Sequence, residues 1–407
     1  MSLITRYLLK ELLTVFLMGL LALTLVINLV LLAGEAIRQG LGPIPILRLI
    51  PYVLPNALRF AIPGTMLFAI CAVYGRMAGS NEVVALKSAG IHPWQIIKPG
   101  LALAFIVSLA AVVLNDLAAS WGRQGAQRVI LQSLEQIVYG TLRTHRSYSV
   151  NRLSINVKEI DGRRLILPTI SIASPENDRS ITLTALEAEL RSNPERNTLE
   201  ILMLDSVIEI GDRVRIEYPG QKLHEINLAD ATKNGEGGTH PADFAMGKIP
   251  EEIESQVAEI KRVEQVAAAE TAVKLLTGEL NGFAAADWQA QSGRLQNATG
   301  RLWRLKVEPW RRWANGFSCL FFALVGSPWA IRSKRSDVWS TFLWCFAPIL
   351  ISYYPLMMYG VTQAKAGVLP PAAVWLGNLL LLGLGTLVMM RIRVRLPLLG
   401  SLGLGHL

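Results

Sequence analysis

Long apolar runs and short alternating runs divide the chain into two kinds of segment. A membrane-spanning helix needs about 20 mostly apolar residues, and six runs meet that length. A soluble protein would have to coat each of them with protein on all sides. The pattern therefore predicts six transmembrane helices, at Leu12–Ala33, Phe60–Ala78, Pro99–Leu117, Trp313–Ile331, Val338–Val361 and Leu369–Met390.

Between the third and fourth runs the helical period gives way to alternation, which is typical of β-strands. From Tyr148 to about Leu228 the sequence predicts strands at 154–157, 180–184 and 212–218. Asp161-Gly162 suits a hairpin turn that needs positive φ. Further turn chemistry stands at Pro175–Asp178, Ser192–Pro194 and Tyr218–Gly220, and a Gly-rich linker follows at Asn234–Thr239. We expect an all-β extramembrane domain.

Beyond Pro250 a helical period returns. Ile253, Val257, Ile260 and Val263 recur on one face, so the sequence predicts an amphipathic helix to about Leu276. Its polar face is as acidic as it is basic, which favours packing against protein over lying on a membrane.

Composition supports the membrane interpretation. Of 407 residues, 51% are hydrophobic and 17% charged, whereas soluble domains carry about 25% charged residues. This excludes a soluble globular protein and a disordered one. The formal net charge is +9, and the distribution of the basic residues along the chain does not indicate a nucleic-acid-binding protein. The 3 cysteines lie in apolar stretches, so we expect no disulfide framework.

Basic residues beside the short loops set the orientation, because they mark the cytosolic side. They predict that both termini are cytosolic and that the stretch between the third and fourth spans is outside. The first run is too long for a signal peptide and has no cleavage site, so we expect an uncleaved anchor. The bases that define this side are Arg6, Lys10, Arg76, Lys87, Lys98, Arg332, Lys334, Arg335, Arg391, Arg393 and Arg395.

The sequence lacks the common motifs of nucleotide-binding, metal-binding and nucleophilic catalytic sites. It has no Walker A pattern, no His-Glu-x-x-His or paired-Cys spacing and no Gly-x-Ser-x-Gly elbow. The spans contain almost no carboxylate, which argues against a proton-driven carrier. We expect neither an enzyme nor a metal or other cofactor in this chain, and any energy must come from another chain.

One cytosolic segment, Gly75–Ile91, is informative. Ser80 or Asn81 can cap a short helix, Glu82 complements its positive end, and Gly90 lets it stop. Val83 and Leu86 belong to an apolar stripe too short to form a core. Such a helix could seat in a groove of a cytosolic motor, or it could be an ordinary helical loop between two spans.

This segment, together with others along nearly the whole chain, resembles the lipopolysaccharide-export permeases of the LptF/LptG (YjgP/YjgQ) type. The resemblance implies six spans with a β-jellyroll-like periplasmic domain in the bacterial inner membrane. It also implies a half-permease that extracts lipopolysaccharide, paired with a homologous half-permease as a hetero- or homodimer. A cytosolic ABC ATPase dimer would bind the ATP, and a periplasmic bridge of jellyroll units would receive the lipid. The residues that carry the resemblance are Thr5–Leu12, Pro51, Pro55, Pro63-Gly64, Gly75–Met77, Ser80–Ile91 and Arg312–Pro328.

The resemblance also assigns domains and sites. Residues 1–117 would hold spans one to three with a coupling helix at 80–90, 118–248 the jellyroll-like domain, 249–308 a periplasmic helical extension and 309–407 spans four to six. Glu82 matches the family's coupling-helix acid. The expected ATPase contacts are Ser80, Glu82, Val83, Leu86 and Gly90.

Basic residues on the outer side break the positive-inside rule and are the candidate ligands of lipid phosphates. Arginine suits that role through its bidentate geometry; the alternative is interfacial anchoring against headgroups. The candidates are Arg38, Arg59, Arg301, Arg304, Arg311 and Arg312.

Two departures from the family pattern stand out. Gly316 stands where the family usually has proline, and the helical stretch from about 250 to 297 is longer than expected. They leave two alternatives open: a permease for another glycolipid or a lipoprotein, and a membrane-anchored scaffold that does not transport.

Overall fold

A computed structural model describes ten stretches of the chain. They are residues 3–39, 43–132, 134–150, 153–173, 180–193, 198–210, 214–227, 240–277, 286–332 and 338–394. The predicted turn at Pro175–Asp178 and the linker at Asn234–Thr239 lie outside them, as do Pro194 and Asp212.

Helices dominate both ends of the chain. The first six are α1 Leu3–Gln39, α2 Pro43–Gly79, α3 Glu82–Ser88, α4 Pro93–Leu117, α5 Arg123–Gln132 and α6 Leu134–His145, with a π-helical segment at Ala118–Gly122. The later ones are α7 Ile249–Thr277, α8 Ala286–Arg332, α9 Val338–Lys365 and α10 Leu376–Val394. Short 3-10 turns stand at Pro241–Asp243, Met246–Lys248 and Pro371–Trp375.

The six predicted spans are confirmed as helices long and apolar enough to cross a membrane. They are longer than the apolar runs. The 37 residues of α1 extend over about 55 Å, whereas a bilayer core is about 30 Å thick. The predicted amphipathic helix is also confirmed as α7, whose half-buried face carries Ile253, Val257, Ile260 and Val263.

Two compact units divide the chain differently from the sequence-based domains. One comprises 1–27, 54–120 and 244–407, and the other 28–53 and 121–243. The C-terminal part of α1 and the N-terminal part of α2 therefore group with the sheet-containing unit. The helical extension at 249–308 groups with the spans.

The first unit, which we call the helical unit, has two main apolar clusters. One joins α1, α2, α4 and α8 through residues such as Leu12, Met66, Ile97 and Cys319. The other joins α2, α8, α9 and α10 and includes Phe322. These contacts form the helical core on which the short helix α3 packs through Val83.

Gly316 lies where α4 and α8 approach each other closely. A Cβ atom built there would lie 2.9 Å from the backbone nitrogen of Val112, closer than side-chain carbons normally come. Glycine is therefore the residue that permits this packing.

The second unit, the sheet unit, contains one antiparallel sheet in its described residues. The nine strands are β1 Ser147–Val150, β2 Leu153–Asn156, β3 Glu159–Asp161, β4 Arg164–Ile166, β5 Thr169–Ala173, β6 Ser180–Thr184, β7 Glu187–Asn193, β8 Thr198–Ile210 and β9 Val214–Asn227. Their order is β1-β2-β5-β6-β8-β7-β4-β3, with β9 on β8. The sheet curls into a half-barrel; the jellyroll and the periplasmic location stay predictions.

Alternating side chains form the core of the sheet unit, as the sequence predicted. Ile155, Ile170, Ile201 and Met203 are fully buried beneath α6. The Tyr139 hydroxyl of α6 donates to the Arg163 carbonyl oxygen and accepts from the Leu190 backbone N–H at 3.0 Å. These two hydrogen bonds join α6 to the sheet.

Two predicted turns have different outcomes. The hairpin at Asp161-Gly162 is confirmed between β3 and β4, with Gly162 at φ 61°. The turn at Tyr218–Gly220 is wrong, because β9 continues through it as a bulge. Gly220 has φ 86°, and its N–H donates to Asp205 Oδ1 at 2.7 Å.

Candidate functional site

The short helix α3 lies between α2 and α4 and is bounded by two left-handed residues. Asn81 precedes it at φ 60° and Gly90 follows it at φ 84°. The predicted stop at Gly90 is confirmed, and Asn81 occupies the predicted N-cap position without a capping hydrogen bond. Neither Ser80 nor Asn81 caps the helix through its side chain; the Ser80 hydroxyl donates instead to Glu82 Oε1 at 2.9 Å.

The two sides of α3 differ in exposure. Val83 is 3% exposed and packs into the core of the helical unit, with Leu86 half-buried against it. Val84 is 58% exposed. Val83 therefore cannot be a partner contact as predicted, because it already fills the chain's own core, and Val84 occupies the accessible position.

An ion-pair group that we call the Arg76 cluster, formed by Tyr7, Glu11, Arg76, Ser80 and Glu82, joins α3 to α1. Arg76 Nη2 donates to Glu11 Oε1 at 2.6 Å and to the Tyr7 hydroxyl at 3.3 Å. Its Nη1 donates to Glu82 Oε1 at 3.3 Å. The side chains of Arg76 and Glu82 are 44% and 38% exposed, so this cluster is open to a binding partner.

An apolar cavity of about 480 Å³ lies beside the cluster. The first turns of α1 form one wall and α3 forms the other. Glu82 contributes the one carboxylate among its lining residues, which are Leu3, Ile4, Tyr7, Leu8, Met77, Glu82, Ala85 and Leu86.

A second charged group, the Arg312 cluster, is buried where α4 and α8 meet. It consists of Asp116, Glu308, Arg311 and Arg312. Arg312 Nη1 donates to Asp116 Oδ1 at 2.5 Å, and Nη2 donates to the Phe244 carbonyl oxygen at 2.7 Å. The Arg312 side chain is 3% exposed, so its donors serve the fold.

The other members of the Arg312 cluster also have partners within the chain. Asp116 Oδ1 also accepts from the Met246 backbone N–H at 2.8 Å, and Glu308 accepts from Arg311 Nη2 at 2.7 Å. Glu308 is 2% exposed. The predicted phosphate ligand Arg312 is therefore enclosed by protein, and Arg311, which is 23% exposed, is already paired with Glu308.

The other four candidate arginines are not brought together into one site. The Arg59 guanidinium lies 4.7 Å from the ring centre of Phe60 on α2. Arg301 and Arg304 are half-buried one turn apart on α8, which places them on one face. Arg38 stands near the end of α1, and its side chain lies outside the described residues.

A larger apolar cavity of about 570 Å³ opens among α1, α2, α8 and α9. Small residues of α1 and α2 make room for it, and aromatic rings form its walls. Its volume lies within the usual range for small-molecule sites of about 300–1,000 Å³. The lining residues are Gly19, Ala22, Leu23, Val26, Phe60, Gly64, Thr65, Phe68, Phe322, Trp339, Phe342, Phe346 and Tyr354.

Sequence reasoning missed Tyr7, Glu11 and Glu308 as members of these clusters. A carboxylate at position 11, just before a long apolar run, was a signal for a paired charge. Glu308 stands four residues before Arg312, a spacing that favours an ion pair on a helix. Among the described residues, no group of three or more His, Cys, Asp or Glu side chains is placed to hold a metal ion.

The fold and these sites define a class: a multi-pass membrane protein with a β-sheet unit between its third and fourth spanning helices. The family described as lipopolysaccharide export system permease LptF/LptG matches residues 6–391. The chain therefore belongs to this family, as the resemblance predicted, and is a permease component of lipopolysaccharide export and not an enzyme. None of the curated proteins compared with the chain is a match.

Proposed function

We propose that the chain is one half-permease of an exporter in the bacterial inner membrane, driven by a separate cytosolic ABC ATPase dimer. It pairs with a homologous half-permease, as a hetero- or homodimer, and extracts lipopolysaccharide. The sheet unit passes the lipid to a periplasmic jellyroll bridge. Both termini face the cytosol.

One observation carries the ATPase partnership: α3 presents an accessible acid beside an accessible apolar side chain. Glu82 is 38% exposed and Val84 is 58% exposed. A short helix of this kind fits a groove with a basic side chain and an apolar floor. Family membership supports this role for α3. Ser80 positions Glu82 through its hydroxyl, and Gly90 allows the helix to end.

The lipid path is proposed from the larger cavity and the remaining arginines. Aromatic walls at Phe60 and Phe342 suit acyl chains. Arg59 adjoins the cavity through Phe60, and its guanidinium can hold a lipid phosphate. We keep Arg38, Arg59, Arg301 and Arg304 as phosphate contacts and give Arg311 and Arg312 a structural role.

A charge reversal at Glu82 tests the partnership. We expect Glu82→Arg to abolish co-purification of the ATPase and lipopolysaccharide-stimulated ATP hydrolysis, because it opposes a basic groove. Ser88→Arg is the matched control, since it places an arginine on the same helix and keeps the acid. Unchanged co-purification and hydrolysis in Glu82→Arg would remove Glu82 from the mechanism.

Photocrosslinking tests the lipid contacts. With a photoreactive residue at position 59, we expect a lipopolysaccharide adduct during turnover. The same residue at position 312 should give none, because that side chain is enclosed by protein. Absence of an adduct at 59 would favour interfacial anchoring for this arginine.

A further inference from the structure

Arg76 has an unusual position in the helical unit, because it contacts two other helical elements through different nitrogens. Nη2 is shared by Tyr7 and Glu11, which stand one turn apart on α1. Nη1 reaches Glu82 at the start of α3. A single side chain of α2 therefore links the proposed ATPase-docking helix to the first spanning helix.

The charges of this cluster do not balance. Among the contacts that the structure describes, one guanidinium faces two carboxylates, Glu11 and Glu82, which leaves one negative charge in excess. The Arg312 cluster, by contrast, sets two bases against two acids. The Arg76 cluster thus has room electrostatically for one more cation.

Its two ion pairs also differ in length and in exposure. The bond to Glu11 is 2.6 Å long and the one to Glu82 is 3.3 Å long. Glu82 is the more exposed of the two acids, at 38% against 24%. An incoming cation would therefore pair with Glu82 first, and Arg76 would keep its contacts with Glu11 and Tyr7.

The first spanning helix, α1, is less buried within this chain than its neighbours. In its most apolar stretch, 17% of α1 is buried, against 61%, 56% and 67% for α2, α4 and α8. Within this chain α1 is thus the least buried of these four helices, although Leu8 and Leu12 beside Glu11 are buried. A change in the contacts at Glu11 and Tyr7 therefore bears directly on the position of α1.

We propose that Arg76 is a positioning residue that couples ATPase docking at Glu82 to the placement of α1. When a basic side chain of the ATPase pairs with Glu82, Arg76 Nη1 is released and the guanidinium is held by α1 alone. The cluster thereby exists in two arrangements, and the state of the ATPase selects between them. This inference rests on the proposed function, since it assumes that the ATPase binds α3.

The test uses the full complex with its ATPase in phospholipid vesicles that contain lipopolysaccharide. We expect Arg76→Gln to keep the ATPase bound and its basal hydrolysis unchanged, while stimulation by lipopolysaccharide falls at least about fivefold, the lower end of common coupling effects. Lys10→Gln is the matched control: it removes an exposed base next to Glu11 and should leave stimulation intact. Normal stimulation in Arg76→Gln, or loss of the ATPase from the complex, would overturn the proposal.

A charge swap separates coupling from simple support of α1. The pair Glu11→Arg with Arg76→Glu restores attraction between α1 and α2 but sets residue 76 against Glu82. We expect coupling to stay lost; recovery would show that Arg76 only braces α1. If the wild-type chain itself binds no ATPase, the proposed function is contradicted. If the Arg76→Gln complex keeps normal stimulation by lipopolysaccharide, only the coupling role of Arg76 is contradicted.

Discussion

The Arg76 and Arg312 clusters use the same chemistry and differ in burial. Each sets arginine against carboxylates between helices, but the Arg76 side chain is 44% exposed and the Arg312 side chain 3%. Water and a partner protein can compete for Arg76, whereas the Arg312 side chain is enclosed by protein. An ion pair at an accessible point can exchange partners and serve as a switch, whereas a buried one fixes the position of the helices.

Stability should show the largest difference between the clusters. Arg312→Ala leaves the half-buried Asp116 without its cation and leaves the buried Glu308 with Arg311 alone. We expect this to cost about 3 kcal/mol, the lower end of the range for a broken buried ion pair. Arg76→Ala breaks exposed pairs and should cost about 1 kcal/mol or less. The check is the free energy of unfolding of both variants in detergent micelles. Equal costs would mean that burial does not distinguish the two clusters.

Packing beside the Arg312 cluster should be nearly as sensitive. A methyl group at Gly316 would press on the backbone of α4 at Val112, so Gly316→Ala should cost about 1–3 kcal/mol. Gly300 on the same helix has open space around its Cβ direction, and Gly300→Ala should be neutral or stabilise by about 1 kcal/mol or less. The same unfolding measurement applies. A tolerated Gly316→Ala would show that α4 and α8 can separate there at little cost.

Salt should give the smallest and most selective effect. Raising ionic strength from about 0.1 M to 1 M shortens the screening length from about 10 Å to 3 Å. We expect the ATPase to co-purify less well with the permease at high salt, because Glu82 is accessible to ions. The unfolding free energy attributable to Arg312 should not change, since its pairs are shielded. Salt-independent ATPase binding would assign the docking to apolar contacts such as Val84.

Much of the fold could be predicted from sequence because it follows from local periodicity. Six apolar runs predicted six helices, and alternation predicted strands such as Ser180–Thr184. The turn expected at Tyr218–Gly220 failed because pairing along β8 overrode local turn chemistry. The Asp205 carboxylate accommodates the bulge there, and no local pattern around Gly220 indicates it.

The sites were harder to predict because burial depends on distant residues. Arg312 was expected to face lipid, yet its partner Asp116 lies 196 positions away in the sequence. Val83 and Val84 are alike in sequence, and only the packing of α3 on the core decides which is accessible. Glu82 was identified by family resemblance, whereas its link to Arg76 and Glu11 needed the three-dimensional structure.

The central claim is that this chain works as a lipopolysaccharide half-permease with a separate ATPase. Purification of the complex from its native membrane, with identification of the co-purifying proteins and lipid, tests it most directly. We predict a cytosolic ABC ATPase, a homologous membrane subunit or a second copy of this chain, and bound lipopolysaccharide. A chain that purifies without any ATPase would contradict the account and favour a membrane-anchored scaffold, and a different bound lipid would contradict the assignment of the cargo.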